Sequence, residues 1–180
     1  MPGESLKIRA RVRAVLGDNV DTDIIYPGRY LNITDREKTA EHLFELAYPE
    51  IRREMRPGEL IVAGKNFGCG SSREQAAAAL KFAGVGAVIA ASFARIFFRN
   101  AINLGLAAVV SAEAAVECAA GDELELDLVA GEIRNLTREC RLRASPLDPR
   151  AAELLAAGGL IPYLKHKYSD ARREPCPVTA

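Results

Sequence analysis

Residues 64–75 read GKNFGCGSSREQ, and they bring together residue types that can bind and activate a carboxylic acid. The glycines permit a tight bend. The bend is expected to join a short apolar strand, Leu60 to Ala63, to an Ala-rich helix from Arg73 to Phe82. A helix start leaves backbone N–H groups free and carries the positive end of the dipole. Such a place binds anions. Ser71 and Ser72 add hydroxyls, and Arg73 adds a planar fork that matches a carboxylate through two hydrogen bonds. The same residues also suit a plain helix cap, with Ser71 or Ser72 at the N-cap and Glu74 or Gln75 closing a capping box. Residue types alone leave both readings open. The run is not GxGxxG, GxxxxGK(S/T) or GxSxG, and neither His42 nor His166 has a neighbour that marks it as a base.

The elements that must position this loop follow from periodicity. Residues 7–16 alternate basic and apolar or small side chains, the period of a half-buried strand. Residues 18–35, DNVDTDIIYPGRYLNITD, carry turn formers and are expected to be long and irregular. Thr34 or Asp35 could cap a helix from Glu37 to Leu46. Gly84 should stop the Ala-rich helix, Val85 to Ala91 should be a buried strand, and Ser92 could cap a helix through Asn103 that ends at Gly105. Leu106 to Val110 is the next strand. Strand and helix alternating over residues 60–110 imply parallel strands with helical crossovers. Glu123 to Leu128 and Ile133 to Leu136 read as a hairpin around Ala130-Gly131, and Pro149 to Ala157 as a short helix. The fold class is α/β, with a mostly parallel central sheet, helical crossovers, a C-terminal β-hairpin and a short helix. Residues 1–168 are expected to form one domain, with 169–180 a loose tail.

Composition narrows the function. The 180 residues are 49% hydrophobic and 27% charged, as in a globular domain. Lys plus Arg equals Asp plus Glu at 24 each, which argues against a nucleic-acid or membrane-surface binder. The arginine clusters at 52–53, 141–143 and 172–173 read as solvated surface. The apolar runs are too short to cross a bilayer, and the first residues lack the apolar core of a signal peptide. Cys69, Cys118, Cys140 and Cys176 form no CxxC pair and no zinc pattern. A reduced, cytoplasmic protein is expected.

Three motifs occur in order: GDNVDTDIIYPGRYL at residues 17–31, GKNFGCGSSREQA from Gly64, and SFARIFFRNAINLGL at residues 92–106. Together they resemble the small subunits of the 3-isopropylmalate dehydratase family and the mobile C-terminal domain of aconitase, over about residues 8–165. The resemblance implies a swivelling β/β/α domain that docks on a large subunit. It also implies that the 4Fe–4S cluster sits on three cysteines of that partner, with no metal held by this chain. Cys69 would then serve packing or loop geometry.

The reaction implied is reversible removal of water from a hydroxy di-acid. Leucine biosynthesis, through 2- and 3-isopropylmalate, is the leading case. Close alternatives are a citraconate or citramalate, dimethylmalate or homoaconitate dehydratase, and a distant one is a non-catalytic RNA-binding or regulatory module. By resemblance Ser71 is the base, as an alkoxide. Ser72 would donate to substrate or to Ser71, and Arg73 would clamp a carboxylate. Residues 29–34 match the family's substrate-discriminating loop. Relatives that take an extra carboxylate carry arginine after the Tyr-Leu pair, whereas this chain has Asn32 and Ile33. An unpaired buried carboxylate is costly, so an apolar substituent should fit better. Arg29 binds a shared carboxylate or is surface; Asp21 and Asp23 stabilise turns or take part in the chemistry. Residues 30–34 are expected to be mobile until the partner docks. Arg95 and Arg99 share a helix face, where ordinary ion pairing is the plain expectation.

Overall fold

The computed structural model describes residues 6–171, with side chains as far as Ser169. One seven-stranded sheet organises the chain, and its longest strand, β1 (Lys7–Leu16), belongs to two neighbourhoods at once. Its first half pairs antiparallel with β5 (Glu123–Asp127), and its second half pairs parallel with β2 (Leu60–Ala63). The register shifts between Val12 and Ala14. Such a bulge bends a strand and re-aims a side chain. Here it belongs to Arg13, whose guanidinium meets Glu59 with two bonds of 2.8 Å.

The parallel half continues from β2 to β3 (Ala87–Ala90) and β4 (Ala107–Val110). Every residue of β2 and β3 is buried, as expected for strands covered on both faces. Period-two geometry divides them. Ile61, Ala63, Val88 and Ala90 enter one core, with Leu80 of helix α4 (Gln75–Phe82) and Phe97 of α5 (Arg95–Asn103). Leu60, Val62, Ala87 and Ile89 enter the other, with Ala114 of α6 (Ala112–Glu117) and Leu124, Ile133 and Leu142 of the antiparallel strands. That half is completed by β6 (Glu132–Asn135) and β7 (Cys140–Arg143). In α4 the residues Ala76 to Leu80 are all buried; runs of alanine let a helix lie close to a sheet and its neighbours.

Several boundaries differ from the sequence expectation for identifiable reasons. Helix α2 is Arg36–Glu41, not Glu37 to Leu46. Asp35, not Thr34, caps it through Lys38 N–H. It ends early because Phe44 takes a left-handed φ of 56° and donates its N–H to Ile25 C=O. Ser92 does not cap α5: Ala94 stands at that cap, and Ser92 accepts a hydrogen bond from Asn66 N–H instead. The irregular segment contains a short helix α1 (Thr22–Ile25) and a 3-10 turn, Gly28–Tyr30. The short helices α3 (Pro49–Glu54) and α6 were not anticipated, nor was β7, whose Arg141 and Arg143 point outward while Leu142 is buried. The hairpin β5–β6 and the helix α7 (Pro149–Ala156) lie where expected. A last helix, α8 (Leu160–Ala171), runs past Ser169, and residues 172–180 with Cys176 lie outside the described residues.

Candidate active site

The loop after β2 is built by two neighbouring segments running alongside it. On one side Asn19 N–H donates to Lys65 C=O, Gly68 N–H to Val20 C=O and Thr22 N–H to Cys69 C=O. Asp18 accepts from Lys65 N–H at 2.7 Å. On the other side Phe67 N–H donates to Ser92 C=O, and Ala94 N–H to Phe67 C=O. The three motifs of the sequence are thus one object: the first and third flank the second. Beneath it Phe67 meets Phe97 edge-on at 5.2 Å and Phe93 at 5.9 Å, an aromatic base for the loop. Gly68 is obligatory, because its φ is 75° and a Cβ there would lie 2.2 Å from Phe97.

Gly70, with φ 92°, turns the chain out to Ser71. Ser71 is exposed, its N–H donates to the buried Thr22 Oγ1 at 3.1 Å, and its own Oγ has no hydrogen-bond partner among the described residues. Ser72 is also exposed, and its C=O receives a long contact, 3.4 Å, from Asn100 Nδ2. Helix α4 starts at Gln75 with Glu74 as a cap that makes no side-chain bond. Neither serine is an N-cap, no capping box forms, and the helix start lies farther along than Arg73. The cap reading of this motif is therefore not realised.

Arg73 is turned back to Asp23, with Nη1 to Oδ1 at 2.8 Å and Nη2 to Oδ2 at 2.6 Å. The paired guanidinium holds the Asp23 carboxyl below its usual range, and Asp23 in turn raises Arg73. Asp23 Oδ1 also accepts from Gly28 N–H at 3.1 Å. Gly28 packs so closely that a Cβ would stand 2.8 Å from Arg73 Nη1. Asp21 accepts from Ile24 N–H at 2.7 Å, the expected turn role. Asp23 was read as a turn stabiliser or a participant in the chemistry, but neither its pairing with Arg73 nor the role of Thr22 was read from sequence; the signal was the DTD triplet in the first motif.

Arg29 is engaged by Glu45 and Tyr30. Its Nη2 bonds Glu45 Oε1 at 2.7 Å, and its guanidinium lies 4.8 Å from the Tyr30 ring centre. His42 stacks on Tyr30 with centroids 3.6 Å apart and bonds Glu45 Oε2 at 2.7 Å. Asn32 is exposed, and Ile33 is half-buried with its N–H on Tyr30 C=O. Arg95 and Arg99 are exposed and form no ion pair among the described residues, contrary to the plain expectation.

This arrangement can be compared with known proteins. Residues 6–114 match the aconitase C-terminal domain family. The chain belongs to that family. Among aconitase-type relatives, the 3-isopropylmalate dehydratase small subunit of Moorella thermoacetica is 56% identical over 84% of this chain and 91% of its own. The methanogen homoaconitase small subunit of Methanothermobacter thermautotrophicus is 53% identical over 88% of this chain and 91% of its own. A crystal structure of the 3-isopropylmalate dehydratase of Methanocaldococcus jannaschii superposes with a TM-score of 0.86 at 42% identity, over 94% of this chain and all of that one. The aconitase-type domain therefore accounts for the mixed sheet as well as the motifs. Among the described residues no group of three or more His, Cys, Asp or Glu could hold a metal ion, and no helix is long and apolar enough to cross a membrane.

Proposed function

We propose that this chain is the small subunit of a hydro-lyase that interconverts 2-isopropylmalate and 3-isopropylmalate, and that it acts only when docked on a large, cluster-bearing subunit. The observation that carries the reading is the exposed Ser71 hydroxyl, presented by a braced loop two residues before Arg73, whose guanidinium is held by Asp23. A serine in water is a feeble base. Docking would exclude that water and let oriented dipoles and the nearby cation favour the alkoxide. Ser71 then takes the C–H proton, and Ser72 donates to substrate or to Ser71. Arg73 keeps its Nε–H and outer Nη hydrogens for a substrate carboxylate while Asp23 fixes the fork. Among the described residues no group of three cysteines lies together to hold a 4Fe–4S cluster; the cluster belongs in this reading to the partner, where it would supply polarisation of the leaving hydroxyl.

Asn32 and Ile33 put no cation where a tricarboxylate would need one, which supports a substrate with a small apolar group. The similarity to a homoaconitase subunit makes homoaconitate the second reading. Citramalate and dimethylmalate differ from isopropylmalate by a few carbons. Each carbon is worth only ~1–3 kcal/mol in an apolar pocket, so slower turnover of these substrates is expected. The zero net charge speaks against the RNA-binding alternative.

The test is reconstitution with the large subunit and a comparison of isopropylmalate, citramalate and homoaconitate. Isopropylmalate should be preferred, and Asn32→Arg should move kcat/KM toward homoaconitate. A wild-type preference for homoaconitate would overturn the assignment. The isolated chain should carry no stoichiometric iron and show no dehydratase activity.

A further inference from the structure

The carboxylate of Glu45 gathers three donors from two separate segments. Oε1 accepts from Arg29 Nη2 at 2.7 Å and from Tyr30 OH at 3.0 Å, and Oε2 is bonded by His42 Nδ1 at 2.7 Å. Burial pushes the Glu45 carboxyl up, but these three bonds outweigh it and hold the group below its usual range. Phe44, fully buried, is bonded to Ile25 C=O of α1, and Tyr48 N–H returns to Phe44 C=O. What Glu45 holds is Tyr30, whose ring also stacks on His42. The Tyr30 carbonyl accepts from the buried Tyr26 OH at 2.9 Å and from Ile33 N–H at 2.9 Å. The turn that carries Asn32 and Ile33 is therefore hung from Tyr30, and the residue at the other end of the 3-10 turn, Gly28, touches Arg73.

We propose that Glu45 is a positioning residue for substrate selection: it fixes Tyr30 and Arg29, and through them the placing of Asn32 and Ile33 relative to Arg73. The proposal rests on the reading of Asn32 and Ile33 as substrate-facing. It assigns Arg29 a part in holding the loop rather than a direct contact with substrate. Nothing in the family motifs points to Glu45, which lies outside all three of them. A glutamine at this position has one acceptor oxygen where the carboxylate has two and lacks the charge that holds the Arg29 guanidinium; its amide N–H is met only where His42 or Tyr30 turns from donor to acceptor. The loop can then settle in more than one place.

The experiment uses the reconstituted two-subunit enzyme with Glu45→Gln, Glu45→Asp and Tyr30→Phe. Glu45→Gln should raise KM for isopropylmalate about tenfold with kcat within about twofold. It should also narrow the kcat/KM preference for isopropylmalate over citramalate about fivefold. Tyr30→Phe, which removes one of the three bonds and keeps the ring, should act in the same direction by less. Glu45→Asp, which keeps the charge and both acceptor oxygens, should recover part of the selectivity. Amide exchange on the free subunit gives a readout independent of turnover: Ile33 N–H should exchange about tenfold faster in Glu45→Gln, with α4 unchanged. A wild-type enzyme that fails to turn over isopropylmalate overturns the functional assignment itself. A wild-type enzyme that works, with Glu45→Gln and Tyr30→Phe leaving both the substrate ratio and Ile33 exchange unchanged, overturns only the role of Glu45.

Discussion

Arg73 and Asp23 lie fifty positions apart and meet through two hydrogen bonds of 2.8 and 2.6 Å. This pair ties the first motif to the second at the point where the serines emerge. It also explains why Arg73 does not swing freely: its side chain is only 19% exposed, against 59% for Asp23. Asp23→Asn should lower kcat/KM at least tenfold, mainly through KM, while costing under ~1 kcal/mol of stability because the pair is half in water. Steady-state kinetics beside a denaturant melt would check both. A large loss of stability with unchanged KM would make the pair structural. Arg73→Lys should also raise KM, since a point charge replaces the fork.

Ser71→Ala should abolish turnover in the assembled enzyme. Because Ser71 Oγ has no partner within the described residues and caps no helix, stability should stay within ~0.5 kcal/mol. A melting curve indistinguishable from wild type with no measurable dehydration is the expected pair of results. A severalfold drop in rate alone would remove Ser71 from the role of base.

Gly28→Ala probes the contact between the loop and the fork. A Cβ would lie 2.8 Å from Arg73 Nη1 and 3.1 Å from Asp23 Oδ1, so the guanidinium must move. The backbone can accept alanine, so folding should be nearly unaffected. KM should rise several-fold, and kinetics on a purified, fully folded variant will show whether it does.

Carboxylates held below their usual range set the acid limit: Asp23 and Glu59, together with Glu45 and Asp122. Arg73 holds Asp23 below its usual range; burial pushes Glu59 up, but Arg13 and the Arg56 N–H outweigh it and bring it below as well. Between each lowered value and the unfolded value of ~4, the unfolded chain binds more protons, so stability rises with pH there. The contribution is complete above pH ~4 to 5 and is lost as pH falls through the folded values. Glu59 is the stronger case, with its side chain 9% exposed. Glu59→Gln should cost ~1–3 kcal/mol at neutral pH and flatten the acid slope, because Arg13 loses its carboxylate. Circular dichroism across pH 2–7 measures both effects.

Burial pushes the Cys118 thiol up to about 11. At pH 8 its thiolate fraction is about one in a thousand. Iodoacetamide should leave Cys118 unmodified in the native chain and modify it after denaturation, as read by peptide mass mapping. Rapid native labelling would contradict the burial.

The chemistry-bearing residues were legible in the sequence because they sit in one short run. Ser71, Ser72 and Arg73 adjoin, and the glycines, the strand before them and the alanine helix after them are all local signals. The strands β2 to β4 were legible too, because burial on both faces writes itself as apolar runs, and β1 was legible by its alternation. What contact across the chain decides could not be read this way. Asp23 became the partner of Arg73, Ser92 became a support for Asn66 instead of a cap, and Glu45 drew together Arg29, Tyr30 and His42. The first two depend on which segments the sheet order brings side by side, and the third on how the connection between β1 and β2 folds back on itself. A hydrogen bond spanning many residues leaves no periodic trace in the sequence, since its geometry exists only after the intervening chain has folded back.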